Sequence, residues 1–157
     1  MNSNRQLAPY RRSLAGALLA AREAVMAPIR PMLRDAGVTE QQWRVLRVLL
    51  DQGPIDPSRL AEAAILLPPS ITRILRELVE RGLIVREADP LDGRRSIVAI
   101  SPSGIALVEQ TASRTHELLD IYAERFGPER LQNLLSELRD FTAAIDSVAS
   151  GQADRGD

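Results

Sequence analysis

Residues 56–101 alternate short amphipathic segments with strong stop signals, and this pattern restricts the fold more than any other feature. A short helix is predicted from Asp56-Pro57, because Asp is a favoured N-cap and Pro suits the first helical position. A second helix is predicted to begin in the Leu-Pro-Pro-Ser of residues 67–70 and to stop at Gly82. Two apolar runs, LIVREA and SIVAI, then flank DPLDGRR. Asp-Gly between two such runs predicts a tight β-hairpin.

The second of these helices has two faces. At 100° per residue, one arc is aliphatic and the opposite arc is polar. The aliphatic arc contains Ile71, Ile74, Leu75, Leu78 and Val79. A short helix, a brief turn, a two-faced helix and a hairpin make up a winged helix-turn-helix. We therefore predict a mainly α fold with a small β-hairpin wing and long dimerisation helices.

Long helical patterns lie on both sides of this segment. Residues 10–34 are predicted to form one helix that kinks or breaks at Pro28 and Pro31. Thr39 is predicted to begin the next helix with a capping box, and Gly53 to end it.

The C-terminal part is predicted to contain two further long helices and a disordered tail, residues 150–157. Their Leu-rich faces, with that of the first helix, are too long for one small winged domain to cover. These faces therefore need a partner, which could be another molecule. The alternative is that these helices pair within one chain.

Composition narrows the possible chemistry. The chain has no cysteine, and His116 is its one histidine, so thiol chemistry is excluded and a histidine-based metal site or catalytic triad is disfavoured. No cofactor or metal is predicted. No stretch approaches the roughly 18 apolar residues of a membrane span. The N-terminal segment is basic and then apolar, but Gly16 and Arg22 favour an amphipathic helix over a signal peptide, so a cytoplasmic protein is predicted.

The charge is distributed unevenly along the chain. The net charge is −1, and every one of the 20 basic residues is arginine. Residues 1–34 carry six Arg against one acid, whereas residues 102–157 carry five against ten. If the chain binds DNA, it must use a local arrangement of arginines and helix ends and not its overall charge.

The span from Thr39 to Gly104 resembles the MarR family of bacterial transcriptional regulators. The wing pattern of that family matches Asp89, Asp92-Gly93-Arg94, the apolar strand 97–100, Ser101 and Gly104. Its recognition-helix pattern matches Ser70, Arg73, Leu78 and Gly82. The strings LAAREAVM, VTEQQWRVLR and LPPSITRIL look closest to the regulators of homoprotocatechuate (aromatic acid) degradation. One departure is Pro68, where the resemblance leads us to expect a basic residue.

The resemblance implies that the second helix of the motif enters the major groove of DNA and that the hairpin is a wing. Ser70 and Arg73 would enter the groove first, and free amides of that first turn would suit a phosphate. Arg94 would reach the minor groove or its phosphates, held extended by Asp92. Asp89 would stabilise the turn, and Arg95 would either contact phosphate or be solvated. The predicted DNA-binding residues are Pro69, Ser70, Thr72, Arg73, Arg76, Asp92, Arg94 and Arg95.

The resemblance implies an effector pocket between the dimerisation helices and the DNA-binding domain. Trp43 is a candidate residue for this pocket, because it lies beside the polar strip carrying Arg44 and Arg47. An aromatic platform next to a guanidinium suits a small aromatic carboxylate or its thioester. The further candidates are Arg12, Ser13, Arg22 and His116. The alternative for Trp43 is an ordinary place in the core, and for each arginine an ordinary solvated surface.

These features together predict a ligand-responsive repressor that binds a pseudo-palindromic operator in double-stranded DNA as a homodimer and associates with the nucleoid when bound. The resemblance implies that residues 1–34 and 102–149 form the dimerisation region of this homodimer and that residues 35–101 form its DNA-binding domain. It also implies an operon for aromatic-acid catabolism. A winged-helix module that docks other proteins, without an effector, is the alternative that the low net charge leaves open. An enzyme is disfavoured because no phosphate loop, metal-ligand cluster or nucleophile-base pair is found in the sequence.

Overall fold

A computed structural model describes residues 9–153, which form seven α-helices and one antiparallel pair of strands, in agreement with the predicted fold class. The elements are α1 Leu14–Met26, α2 Ile29–Asp35, α3 Glu40–Gln52, α4 Pro57–Ala63, α5 Pro68–Glu80, β1 Ile84–Ala88, β2 Ser96–Ile100, α6 Pro102–Phe126 and α7 Pro128–Ala153. The chain divides into two compact units, one ending at Arg114 and the other beginning at Thr115.

The prediction of one long N-terminal helix is wrong. Tyr10–Arg12 form a short 3-10 turn, and Ser13 is extended, with φ −73° and ψ 157°. The Ser13 hydroxyl accepts a hydrogen bond from the amide of Gly16 at 3.1 Å and so begins α1 anew. Serine competes for backbone amides in this way, which is why it favours helix starts over helix interiors. The break that was expected at Pro28 is present, since α1 ends at Met26 and α2 begins at Ile29.

The predicted helix starts in the central part are confirmed. The Thr39 hydroxyl accepts from the amide of Gln42, and the Gln42 side chain accepts from the amide of Thr39, both at 3.1 Å. Gly53 ends α3 with φ 77°. The Asp56 carboxylate accepts from the amides of Ser58 and Arg59, which caps α4.

The predicted hairpin is confirmed, and DPLDGRR forms the loop between its two strands. Its pairing runs from Ile84 opposite Ile100 to Ala88 opposite Ser96, which leaves a seven-residue loop, residues 89–95. Gly93 does not have a positive φ, so this loop is not one of the two-residue turns in which Asp-Gly is most common. The carboxylates of Asp89 and Asp92 accept hydrogen bonds from backbone amides of the same loop, and such Asx contacts stabilise it.

The aliphatic core of the first unit lies between the helix-turn-helix and the hairpin. Helix α5 packs against α3, α4 and β1, and β2 packs against α3 and α4. Ile55 also forms a single antiparallel bridge with Val98 of β2, on the edge of β2 that does not face β1. The largest fully buried side chains are Leu33, Val45, Leu46, Leu49, Leu60, Ile74, Leu78, Ile84, Val98 and Val108. This core fixes α5 with its aliphatic arc inward, as the two-faced pattern predicts.

The second unit leaves much apolar surface uncovered. Its exposed large apolar side chains include Leu119, Ile121, Phe126, Leu134, Leu135, Phe141 and Ile145. Where such side chains form a large patch on a soluble protein, the patch marks contact with another molecule.

The predicted disordered tail is partly wrong, because α7 continues through residues 150–153. A glycine such as Gly151 costs only about 1 kcal/mol within a helix, which is not enough to end one. Residues 154–157 of the predicted tail, and residues 1–8 of the predicted dimerisation region, lie outside the described residues. Within residues 9–153, no helix is both long enough and apolar enough to cross a membrane.

Candidate nucleic-acid interface

The polar face of α5 is exposed at the surface of the first unit. Pro69, Thr72, Arg73 and Arg76 are exposed, and Ser70 is half-buried. These five predicted residues therefore share one helix and one solvent-facing arc. Such a face can enter a groove of DNA without disturbing the core.

The first turn of α5 offers no free amide, contrary to the expected phosphate site. Pro68 and Pro69 lack an N–H, and the amides of Ser70 and Ile71 both donate to the carbonyl of Leu67, at 3.0 and 3.2 Å. Because anion binding at a helix start depends on unpaired amides, side chains must supply the contacts at this end.

Arg73 is held by a chain of hydrogen bonds that the sequence analysis missed. Its guanidinium donates to Glu77 at 2.8 Å, and the other oxygen of Glu77 accepts from Gln42 at 2.9 Å. Gln42 is 6% exposed and also belongs to the capping box of α3. The four-residue spacing of Arg73 and Glu77 could have predicted the first contact. The contact with Gln42 spans 35 residues and leaves no local signal.

The wing loop is organised by two carboxylates. Asp89 accepts from the amide of Leu91 at 2.8 Å, which confirms its predicted role in the turn. Asp92 accepts from the backbone amide of Arg94 at 3.1 Å and lies 3.8 Å from the guanidinium of Arg95. The predicted support of the Arg94 guanidinium by Asp92 is therefore wrong, because the nearer amide and Arg95 occupy the carboxylate. Among the described residues, the Arg94 guanidinium has no hydrogen-bond or ion-pair partner.

The base of the wing is fixed to the end of α5. The Ser101 hydroxyl donates to the carbonyl of Gly82 at 2.6 Å and accepts from the amide of Gly104 at 3.1 Å. A Cβ added to Gly104 would lie 2.2 Å from the carbonyl oxygen of Leu83. This close approach joins α6, the hairpin base and the recognition helix into one rigid corner.

Trp43 and Arg47 adjoin each other in a second cluster. The indole N–H of Trp43 donates to the hydroxyl of buried Thr111 at 3.2 Å. The Arg47 guanidinium carbon lies 5.5 Å from the centroid of the indole ring, within cation–π range. The Nε of Arg47 is buried and has no hydrogen-bond partner among the described residues. A donor of this kind can be satisfied by an incoming acceptor such as a carboxylate.

Within the first unit, the other predicted effector residues form no side-chain hydrogen bond or ion pair with Trp43 or Arg47. The Ser13 hydroxyl is occupied at the start of α1, and Arg12 is exposed. Arg44 donates to the carbonyls of Ala64 and Ile65. His116 belongs to the unit that begins at Thr115.

Arg22 belongs to an ion-pair network that links α1, α2 and α3. It pairs with Glu23 and Glu40, and Arg30 pairs with the same two carboxylates. Hydrogen bonding from Arg30 lowers the pKa of Glu23, and the same bond raises the pKa of Arg30. These charges are mutually satisfied, which makes the network a brace between helices.

A pocket of about 80 Å³ opens beside Thr111. It is lined by Met32, Asp35, Ala36, Gln110, Thr111 and Arg114. An engineered cavity of about 150 Å³ holds benzene, so this pocket is too small for an aromatic acid as it stands.

Comparison with known proteins agrees with this geometry. The MarR family model matches residues 38–96. The regulator FarR of Neisseria gonorrhoeae is 38% identical over 133 residues, covering 83% of this chain and 91% of its own. The homoprotocatechuate degradative operon repressor of Escherichia coli is 35% identical over 131 residues, covering 83% and 88%. The crystal structure of NadR in complex with 4-hydroxyphenylacetate superposes with a TM-score of 0.74 at 37% identity, covering 85% of this chain and 96% of that one.

Proposed function

The chain belongs to the MarR family of transcriptional regulators, and we propose that it represses an aromatic-acid catabolic operon until a small aromatic carboxylate or its thioester releases it from DNA. The observation that carries the DNA-binding part is the exposed polar face of α5 with the wing fixed to the end of that helix. The name of the Escherichia coli relative and the ligand of NadR support the aromatic class of effector.

In this proposal α5 lies in the major groove and the wing contacts the adjacent minor groove. Ser70 and Arg73 read base edges, with Pro69, Thr72 and Arg76 beside them along the groove. Arg94 inserts at the wing tip, where its unpartnered guanidinium is available to phosphates or bases. Arg95, held near Asp92, contacts the backbone.

We assign the apolar surface of the long helices to a second copy of the chain. Exposed side chains such as Leu14 and Leu18 on α1, and Leu119 and Ile145 in the second unit, would be covered in a twofold dimer. Residues 1–34 and 102–149 then form the dimerisation region and residues 35–101 the DNA-binding domain. A twofold axis would place the two recognition helices roughly 34 Å apart, which matches successive major grooves of a pseudo-palindromic operator.

The effector is proposed to bind at Trp43 and Arg47. The indole offers a stacking face, and the unsatisfied Nε–H of Arg47 offers a donor for a carboxylate. Since the adjoining pocket is small, an aromatic acid would bind only to conformations in which it is enlarged. Such a ligand shifts the population toward those conformations and away from the one that fits the operator.

The experiment that tests this function is an operator titration with and without 4-hydroxyphenylacetate. We expect the acid to raise the operator Kd by about fivefold to 150-fold, the usual range of coupling between two sites. Arg47→Met should leave effector-free binding unchanged and abolish the response. The stoichiometry should be two chains per operator. A panel of aromatic acids without effect would contradict the effector class, and one chain per operator would contradict the dimer.

Arg94→Ala is expected to weaken operator binding by about tenfold or more, because each wing loses its terminal charge. Removing two charges from a dimer should also reduce the slope of log K against log salt by about two. Fluorescence anisotropy at several salt concentrations measures both quantities.

Leu91→Ala is the matched control, since Leu91 is 96% exposed in the same loop and carries no charge. Its slope should equal that of the wild type. Unchanged operator affinity in Arg94→Ala would refute the wing contact. Absence of salt-dependent DNA binding by the wild type would favour the protein-docking alternative.

A further inference from the structure

The turn between α4 and α5 contains a strained residue at its centre. Helix α4 ends in a Schellman motif, in which Ile65 donates to the carbonyl of Glu62 at 3.0 Å and Leu66 to that of Ala61 at 2.9 Å. The motif requires a left-handed residue, and Ile65 adopts φ 53°. Within residues 9–153 it is the only residue other than glycine with positive φ.

The same motif elsewhere in this chain uses glycine. Helices α2 and α5 end with Gly37 at φ 72° and Gly82 at φ 67°, each with the same hydrogen-bond pattern. A β-branched side chain makes the left-handed conformation unfavourable, because its Cβ substituents crowd the backbone. The Ile65 side chain is 81% exposed, so packing does not offset the strain. Another contact must hold this turn.

Arg44 supplies that contact from a different helix. Its Nη1 donates to the carbonyl of Ala64 at 3.0 Å and to that of Ile65 at 3.2 Å. These carbonyls follow the end of α4, where backbone acceptors have no helical partner and a positive charge is favoured. The guanidinium thus bridges the carbonyls of the strained residue and of the residue before it.

Arg44 is itself paired with a carboxylate on its own helix. It lies 3.8 Å from Glu40, one helical turn earlier, and Glu40 also pairs with Arg22 and Arg30. The Arg44 side chain is only 30% exposed, and this burial, followed by the charge of Arg22, lowers its pKa. Hydrogen bonds from a charged donor in such surroundings are among the stronger ones.

We propose that Arg44 is a positioning residue for DNA binding, which holds the turn between α4 and α5 in its left-handed conformation and so sets the direction in which α5 meets DNA. This inference rests on the proposed function. It assigns Arg44 to the turn carbonyls and neither to the effector nor to phosphate. Since Glu40 contacts Arg44, the brace formed by Arg22 and Arg30 is continuous with the turn.

The test combines Arg44→Ala with Ile65→Gly. Arg44→Ala should weaken operator binding by about tenfold, because the strained turn is no longer held. Ile65→Gly removes the strain, so on its own it should leave affinity within about twofold of the wild type, and in the double variant it should restore most of the lost affinity. The salt slope should stay unchanged throughout, because no phosphate contact is lost.

Hydrogen exchange of the Leu66 amide supplies a readout without DNA. Arg44→Ala should accelerate it, and Ile65→Gly should slow it again. If the wild type fails to bind operator DNA, the proposed function fails while this exchange result still tests the turn. Unchanged affinity and exchange in Arg44→Ala would overturn the proposal. A reduced salt slope without rescue would also overturn it, by making Arg44 a direct phosphate contact.

Discussion

Arg73→Ala should cause the largest loss of operator binding of any single substitution in the interface. A bidentate arginine–guanine contact gives about 1–3 kcal/mol of discrimination, and a dimer loses two of them, which is about 2–6 kcal/mol. That corresponds to roughly 30-fold to 25,000-fold in Kd. The effect should fall on the specific operator far more than on unrelated DNA, because the lost contact reads bases.

The structure gives a reason for choosing Arg73 over its neighbours. Glu77 pairs with it and is in turn fixed by buried Gln42, so the guanidinium is restrained before DNA arrives. Restraint of this kind reduces the entropy lost on binding.

Arg73→Lys is the matched variant, since lysine retains the charge but lacks the planar fork. It should keep the salt slope of the wild type and lose discrimination between the operator and unrelated DNA. Competition titrations with both DNAs measure the ratio. A wild-type ratio in Arg73→Ala would refute base reading by this residue.

Gly104→Ala should cause a large loss of stability. Its Cβ would lie 2.2 Å from the carbonyl oxygen of Leu83, a backbone atom that cannot move without shifting the base of the wing. Overpacking of this kind typically costs about 1–3 kcal/mol, and we expect a value near the upper end. For a chain of this size, about 3 kcal/mol lowers Tm by roughly 6–12 °C.

Gly93→Ala is the control, because no atom lies within 4 Å of the added Cβ and the position does not require positive φ. Its urea midpoint should match that of the wild type. Equal midpoints for Gly104→Ala and Gly93→Ala would show that the corner yields at little cost, contrary to expectation.

The sequence predicted those parts of the fold that depend on local chemistry. Thr39 and Asp56 begin helices because their side chains satisfy backbone amides two or three residues away, which is visible in the sequence. The exposed arc of α5 follows from helical periodicity in the same way. The break at Ser13 was not predicted, because the apolar residues keep helical spacing across it and Ser13 was not recognised as the N-cap of a new helix.

The parts of the site that could not be predicted depend on contacts between distant segments. The pairing of Gln42 with Glu77 and the bridge from Arg44 to residues 64 and 65 join helices that are separated along the chain. Asp92 is a different case, because the sequence places both Arg94 and Arg95 near its carboxylate. The backbone geometry of the loop brings the guanidinium of Arg95, and only the backbone amide of Arg94, to that carboxylate.

The proline pair at the start of α5 bears on how such a regulator changes its target. Because no backbone amide is free at that end of α5, the backbone there cannot donate hydrogen bonds to DNA. In the proposed complex, side chains make the contacts at this end, and single codon changes can replace them. New operators are then accessible by exchanging a few surface groups on an unaltered scaffold.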